Sequence, residues 1–210
     1  NMFGRGTGYL GKYLLTFIYV FFILNYRNRF RKFLLRLFPD EKDSQINQIV
    51  RESANVVQQY LVGKLILIGL LAITYSIGLG FTGVSNFILV SIIAALFTLI
   101  PYVGNIIGFV MAMVFGYLTS GDMGVLIGIV ITFTVAQFLE SYILQPYVVG
   151  HKVDVHPFFV ILAVIVGNAL WGIIGMILAI PVLAIITIVF LHVPALEPFG
   201  YLFSNKKDDS

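Results

Sequence analysis

Between Leu65 and Leu139 the chain carries one charged side chain, Asp122. A run that long with a single charge cannot face water, so it has to fold with lipid as its solvent. Lipid offers no hydrogen bonds to the backbone, and a helix satisfies its own. The expected fold class is therefore all-α. More fully, it is a polytopic α-helical membrane protein with broken or re-entrant helix pairs and a cytoplasmic amphipathic helical segment.

Composition agrees and closes other routes. Hydrophobic residues make up 59% of the 210 and charged residues 11%, against about 25% charged in an ordinary soluble domain. Ten of the charges fall between Arg27 and Arg51. With no cysteine there is no disulfide framework, thiolate nucleophile or zinc-cysteine site. A net charge of +3 with five basic residues in one cluster argues for membrane orientation and against a nucleic-acid partner. The chain opens on Asn1 without a signal-peptide pattern, so a missing N-terminal part is expected.

The first apolar run, Tyr9 to Leu24, gives a span over residues 1–26. Arg27, Arg29, Arg31, Lys32 and Arg36 follow with no acid among them, which places this loop in the cytoplasm. Phe30, Phe33, Leu34, Leu37 and Phe38 repeat at helical spacing beside these cations, a pattern that lies flat on anionic lipid headgroups or simply anchors topology. Pro39 ends that helix. Ile46, Ile49, Val50, Val56, Val57 and Tyr60 mark an amphipathic helix that completes a cytoplasmic segment, 27–60. A transmembrane bundle is expected over 61–192 and a solvated cytoplasmic tail over 193–210.

Two apolar runs are too long for one crossing and carry breaks. The first is interrupted around Pro101, Gly104, Asn105 and Gly108, the second from Gly167 and Asn168 to Gly172. Each reads as a pair of short helices or a re-entrant hairpin. Glycine-interrupted short helices point to a transport site, although Gly104-xxx-Gly108 also suits plain close packing. Counting crossings puts the basic loop, Pro101, Gln145 and the tail on one side, and Gly80, Asp122 and Asn168 on the other.

Glu140 is the leading functional candidate. It ends an otherwise uncharged span, one turn after Gln137 and about 25 Å along its helix. A carboxylate at membrane depth pairs, protonates or lines water, which are the properties of a proton- or cation-coupled step. The alternative is an interfacial acid paired with Lys64 or Lys152. Asn105 and Asn168 offer amides to a pathway or satisfy backbone freed at the breaks. Asp122 suits the cap of the helix from Met123, and Asp154 and His156 suit the cap of the helix at Pro157. Glu140, His151, Asp154 and His156 match no metal-ligand spacing, so neither a metal nor another cofactor is expected. No nucleophile motif or phosphate loop is visible, which excludes a recognisable intramembrane protease or ATP-driven pump.

Several of these motifs, in order, resemble the autoinducer-2 exporter family of bacterial membrane proteins. Leu99-Ile100-Pro101-Tyr102-Val103-Gly104 is similar to its I-P-Y-V-G-P signature. Leu139-Glu140 through Leu144, Pro146 and Gly150 is similar to its L-E-x-x-x-L-x-P-x-x-x-G. Val155-His156-Pro157 resembles its L-H-P, and Gly172 to Pro181 its closing G-x-x-G-x-x-x-A-x-P. The resemblance runs from about Thr16 to Leu191. It implies the C-terminal part of a protein of roughly eight spans that exports autoinducer-2 or exchanges sodium for protons, and that assembles as an oligomer. Asn105 stands where the family often has proline, Tyr142 where it often has asparagine, and Asn25-Tyr26 replaces an Asp-Gly turn.

The functional expectation is a gradient-driven transporter in the bacterial inner membrane, not an enzyme. It would move a small polar solute such as autoinducer-2, or exchange a monovalent cation for protons. Glu140, Gln137, Asn105 and Asn168 are the coupling candidates. Pro101, Gly104, Gly108, Pro146, Gly150 and Gly172 form the gate, and partners are membrane lipids and copies of itself. The competing expectation is a non-transporting oligomeric scaffold that recruits lipids or partners through its cytoplasmic helices.

Overall fold

A computed structural model describes residues 2–29, 32–33, 43–148, 155–194 and 196–205. Arg31, Arg36, Gly150 and Asp154 lie outside them. The described residues are helical, apart from turns and one isolated β-bridge between Val155 and Ser204. The chain divides into two units, Asn1–Val50 and Arg51–Ser210.

The first unit holds α1, Met2–Asn25. From Leu14 on its side chains are exposed, as are Arg27, Arg29 and Lys32 beyond it. Phe22 stacks on Tyr26 with ring centroids 6.1 Å apart, and the Arg29 guanidinium sits 5.6 Å over the Tyr26 ring.

The helix α2, Asp43–Thr82, runs unbroken for 40 residues. Within the second unit it presents a stripe of buried side chains at every fourth position: Leu67, Leu71, Tyr75 and Leu79. That stripe is the spine of the core, packed with Ala94, Ala95, Ala112, Ile129, Phe133 and Ala136. Tyr75 and Phe133 stack at 4.5 Å. Alanine and glycine on the facing helices are what let aromatic and branched residues of α2 fit between backbones.

The first broken run becomes α3, Phe87–Phe97, and α4, Val103–Ser120, folded back on each other. The turn is made by Tyr102 in a left-handed conformation (φ 62°), a strained setting for a side-chain-bearing residue. The buried face of α4 is Gly104, Gly108, Ala112 and Gly116, again every fourth residue. A Cβ on Gly104 would collide with the Phe97 carbonyl, and Gly108 lies against the Ala94 backbone. Gly108 therefore sits inside a continuous helix as a packing residue, and the break expected there lies wholly between Phe97 and Val103. At 11 residues α3 rises only about 16 Å, roughly half the hydrocarbon thickness.

Next comes α5, Met123–Leu139, capped by Asp122, whose Oδ1 accepts from the Gly124 N–H at 2.9 Å. It passes into one π turn, Glu140–Leu144, and then α6, Gln145–Val148. The reason for the widened turn is Pro146. In a regular α-helix its ring would press on the Tyr142 carbonyl and its missing N–H would leave that carbonyl unbonded. Opening the helix by one residue, with the Gln145 N–H reaching back to the Glu140 carbonyl, removes the conflict.

The second broken run, α7, Pro157–His192, starts at the His156 cap, whose Nδ1 accepts from the Phe158 N–H at 3.3 Å. It reverses direction at Gly172 (φ 61°, ψ −139°), a region essentially closed to residues with a Cβ. The two limbs then lie so close that a Cβ on either Gly167 or Gly175 would strike the other's carbonyl. Asn168 is exposed on the first limb, and Trp171 is exposed beside the reversal.

The stretch after His192 departs from the solvated tail expected. Residues Glu197–Phe203 form α8, which returns along α7. Phe203 packs on Phe159 (4.4 Å) and Phe190 (5.6 Å), and the His156 N–H donates to the Phe203 carbonyl at 2.7 Å. Glu52 of α2 meets His192 Nε2 at 3.5 Å. Among the described residues four helices are long and apolar enough to cross a bilayer: the apolar part of α2, α4, α5 with its continuation, and α7. The molecule is an all-α, multi-pass membrane protein.

Candidate functional site: a polar cavity around Glu140

Helical spacing alone brings part of the site together. Gln137 and Glu140 are three residues apart, so they share a face of α5 as it enters the π turn. Tyr60 and Lys64 are four apart and share a face of α2. The tight α3–α4 turn delivers Thr98, Pro101, Tyr102 and, one helical turn later, Asn105 to the same place. All eight line one cavity of about 490 Å³, with Ser141, Gln145 and an apolar wall of Leu67, Ile106, Val155, Pro157, Val160 and Ile180. Its size and its apolar wall with a few converging polar groups suit a small ligand.

The polar groups form one network. Asn105 Nδ2 donates to both Gln137 Oε1 (2.7 Å) and Glu140 Oε2 (2.9 Å). Gln137 Nε2 in turn donates to Ser141 Oγ at 3.1 Å. Glu140 is only 5% exposed, yet its second carboxylate oxygen has no protein hydrogen bond among the described residues. An ionised carboxylate at such depth is costly unless paired, and one amide is little compensation. Among the described residues the basic side chain on the wall of the same cavity is Lys64, half-buried. The two make no direct ion pair: no nitrogen–oxygen contact within 4 Å joins them among the described residues.

The coupling candidates thus separate. Asn105, Gln137 and Glu140 meet, while Asn168 does not. It stands 11 residues beyond Pro157, about 16 Å up the first limb of α7 and toward the Gly172 reversal. The Gly104-Asn105 and Gly167-Asn168 segments therefore do not converge on one place. Among the expected gate residues, Pro101 lines the cavity, Gly104 packs against the Phe97 carbonyl, Pro146 shapes the turn that carries Glu140, and Gly108 and Gly172 are not in its wall. His156 caps α7 at the foot of the wall. Arg27, Arg29 and Lys32 belong to the other unit.

Lys64 was legible only as one possible partner for Glu140, and Tyr60, Ser141 and Gln145 were not singled out. The signal available was spacing: Tyr60 and Lys64 are the polar residues one turn apart where the amphipathic pattern of α2 gives way to the apolar one.

The sequence matches the family model described as "AI-2E family transporter" over residues 1–195. Among curated proteins, the chain is 30% identical over 173 residues to the Bacillus subtilis protein named "Putative transport protein YrrI", covering 82% of this chain and 48% of that one. It is 28% identical over 174 residues to "Putative transport protein YueF" of the same organism, covering 83% and 47%. A Mycobacterium tuberculosis protein, "Putative transport protein MT0215", is 29% identical over 175 residues, covering 81% and 46%. The chain spans about half the length of these relatives. With the family model matched over nearly its whole length, and its family motifs gathered at the α3–α4 turn, the Glu140 turn and the α7 cap, this chain belongs to the AI-2E transporter family.

Proposed function

We propose that the intact protein is a gradient-driven membrane transporter and that the cavity around Glu140 holds the moving solute or ion. Glu140 is the coupling group, and Asn105 and Gln137 position it. The observation that supports this most directly is a carboxylate 5% exposed, hydrogen-bonded through one oxygen among the described residues, on the wall of a cavity of about 490 Å³. A purely structural acid in lipid would have both oxygens occupied, because each unpaired one costs free energy. The π turn beneath it fits the same reading, since such turns recur where a helix must aim a functional side chain. The names borne by the relatives are those of transport proteins, and a recruiting scaffold would gain nothing from a buried, half-satisfied acid.

In this reading the protein sits in the bacterial inner membrane with the basic loop in the cytoplasm, and it assembles from copies of itself. Its cargo is a small polar solute such as autoinducer-2, or a monovalent cation exchanged for protons. The test is flux in proteoliposomes of the intact protein against a panel of cations and hydroxylated solutes. Glu140→Gln keeps the shape and removes the charge. It is expected to lower flux at least tenfold and to abolish the response to an imposed pH gradient. Unchanged flux with unchanged pH response makes Glu140 structural and ends the coupling idea.

A further inference from the structure

We propose that the cavity accommodates a small zwitterion, a molecule carrying an ammonium and a carboxylate on one compact skeleton. Its amine end would meet Glu140 and its acid end Lys64. This rests on the transport reading, because it takes the cavity to be where the cargo binds, and it narrows that cargo to a zwitterionic solute in place of a lone cation or an uncharged one.

The argument begins with charge. Apart from tyrosine hydroxyls, Lys64 on α2 and Glu140 at the π turn are the ionisable groups lining the cavity among the described residues; α3, α4, α6 and α7 contribute none to its wall. The site therefore carries one cation and one anion and is neutral as a whole. Both charges act on any ion that enters so small a cavity. A lone cation approaching Glu140 is repelled by Lys64, and a lone anion approaching Lys64 is repelled by Glu140. A neutral solute leaves both charges to find other partners.

Geometry supplies the second step. Opposite charges sharing a cavity normally close into a contact pair, yet these two make none within 4 Å. Asn105 holds one Glu140 oxygen at 2.9 Å and is itself anchored to Gln137, so the carboxylate is kept back on the α5 side. Its other oxygen has no protein donor, and Lys64 has no hydrogen-bond or ion-pair partner among the described residues. One free acceptor and three free ammonium hydrogens, carried by different helices around one cavity, form a receptor for a ligand with one donor-rich and one acceptor-rich end. Specificity follows from the penalty on partial fits, since a ligand lacking either end leaves one of the two charges without a partner.

The test uses the intact protein in detergent, read by ligand-induced thermal stabilisation. Alanine is the zwitterionic probe. Alanine methyl ester carries only the amine charge, N-acetylalanine only the acid, and glycerol neither. Alanine is expected to stabilise the wild type at a concentration at least tenfold lower than any of the three controls. Lys64→Gln and Glu140→Gln should each weaken that effect at least tenfold, and Lys64→Arg, which keeps the charge, should restore most of it. An ester, an N-acyl acid or glycerol acting as well as alanine overturns the proposal, as does full alanine binding by Lys64→Gln. Flux separates the two readings. Alanine bound through both charges but never moved across the vesicle wall sinks the transport reading and leaves the site. Glu140-dependent flux of a cation or polyol, without alanine binding, sinks the zwitterion and leaves transport.

Discussion

Asn105 reaches the cavity from a helix 32 residues before Gln137 and 35 before Glu140, and it bonds to both with the two hydrogens of one amide nitrogen. Replacing it with alanine leaves Glu140 Oε2 without its donor. Hydrogen bonds to charged groups contribute about 1.5–3 kcal/mol, so Asn105→Ala is expected to destabilise by about that amount in thermal unfolding and to reduce flux in step with Glu140→Gln. A stable variant with full flux would show the amide to be dispensable. Ser91 presents the opposite case. Its hydroxyl is fully buried on α3 and has no hydrogen-bond partner among the described residues, not even the preceding turn of its own helix. Removing an unsatisfied buried hydroxyl recovers a desolvation cost of about 1–3 kcal/mol, offset by the small void it leaves. Ser91→Ala should therefore match or exceed the wild type in melting temperature; a clear drop would reveal a partner for that hydroxyl.

At the scale of elements, the reversal in α7 depends on one backbone conformation. Gly172 occupies a region that costs about 1–3 kcal/mol for a residue with a side chain, and the limbs it joins touch through Gly167 and Gly175. Gly172→Ala is expected to lower stability by that range, and Gly175→Val by more, because its side chain meets backbone that cannot rotate away. Both are measurable by denaturation in detergent, and a wild-type melting curve for Gly175→Val would mean the limbs can part freely. The places where helices break could be read from sequence, because proline and glycine act on their own backbone. Where the broken pieces go could not. Gly108 looked like part of a break and is a packing residue, since only the neighbouring helix decides whether a missing Cβ bends a chain or admits a neighbour. The π turn escaped for a related reason. Pro146 announced a disturbance, but its resolution by a widened turn four residues earlier depends on how the helix is held at both ends.

For the molecule as a whole, the polar cavity was legible in its ingredients and not in its assembly. An isolated acid in an apolar chain stands out, whereas its bond to Asn105 and its place in one cavity with Lys64 depend on the register of three helices, which no local pattern encodes. The last helix was missed because two prolines and a charged end mask a seven-residue element whose apolar face, Phe199 and Phe203 with Gly200 between, is too short for a periodic signal. Yet it secures the cavity wall: the bridge from Ser204 to Val155, and the His156–Phe203 hydrogen bond, tie down residues at the base of α7. Phe203→Ala is expected to cost about 2 kcal/mol in stability, below the 3–5 kcal/mol of a fully buried phenylalanine because Phe203 is only half-buried. It should also weaken binding of whatever the cavity holds; stability lost with ligand affinity intact would separate the wall from the site.

The bridge between Val155 and Ser204 also bears on how the protein is made. A ribosome delivers Lys64, Asn105 and Glu140 to the bilayer long before it delivers Ser204, so the charged cavity forms early with one wall untethered. During that interval its carboxylate and ammonium lie open to water, lipid headgroups or an insertion factor. Tethering waits until Ser204 has been made and can bridge to Val155. Nascent chains arrested before residue 197 and after residue 205 should consequently differ in protease and labelling access at Val155, with the earlier arrest the more reactive.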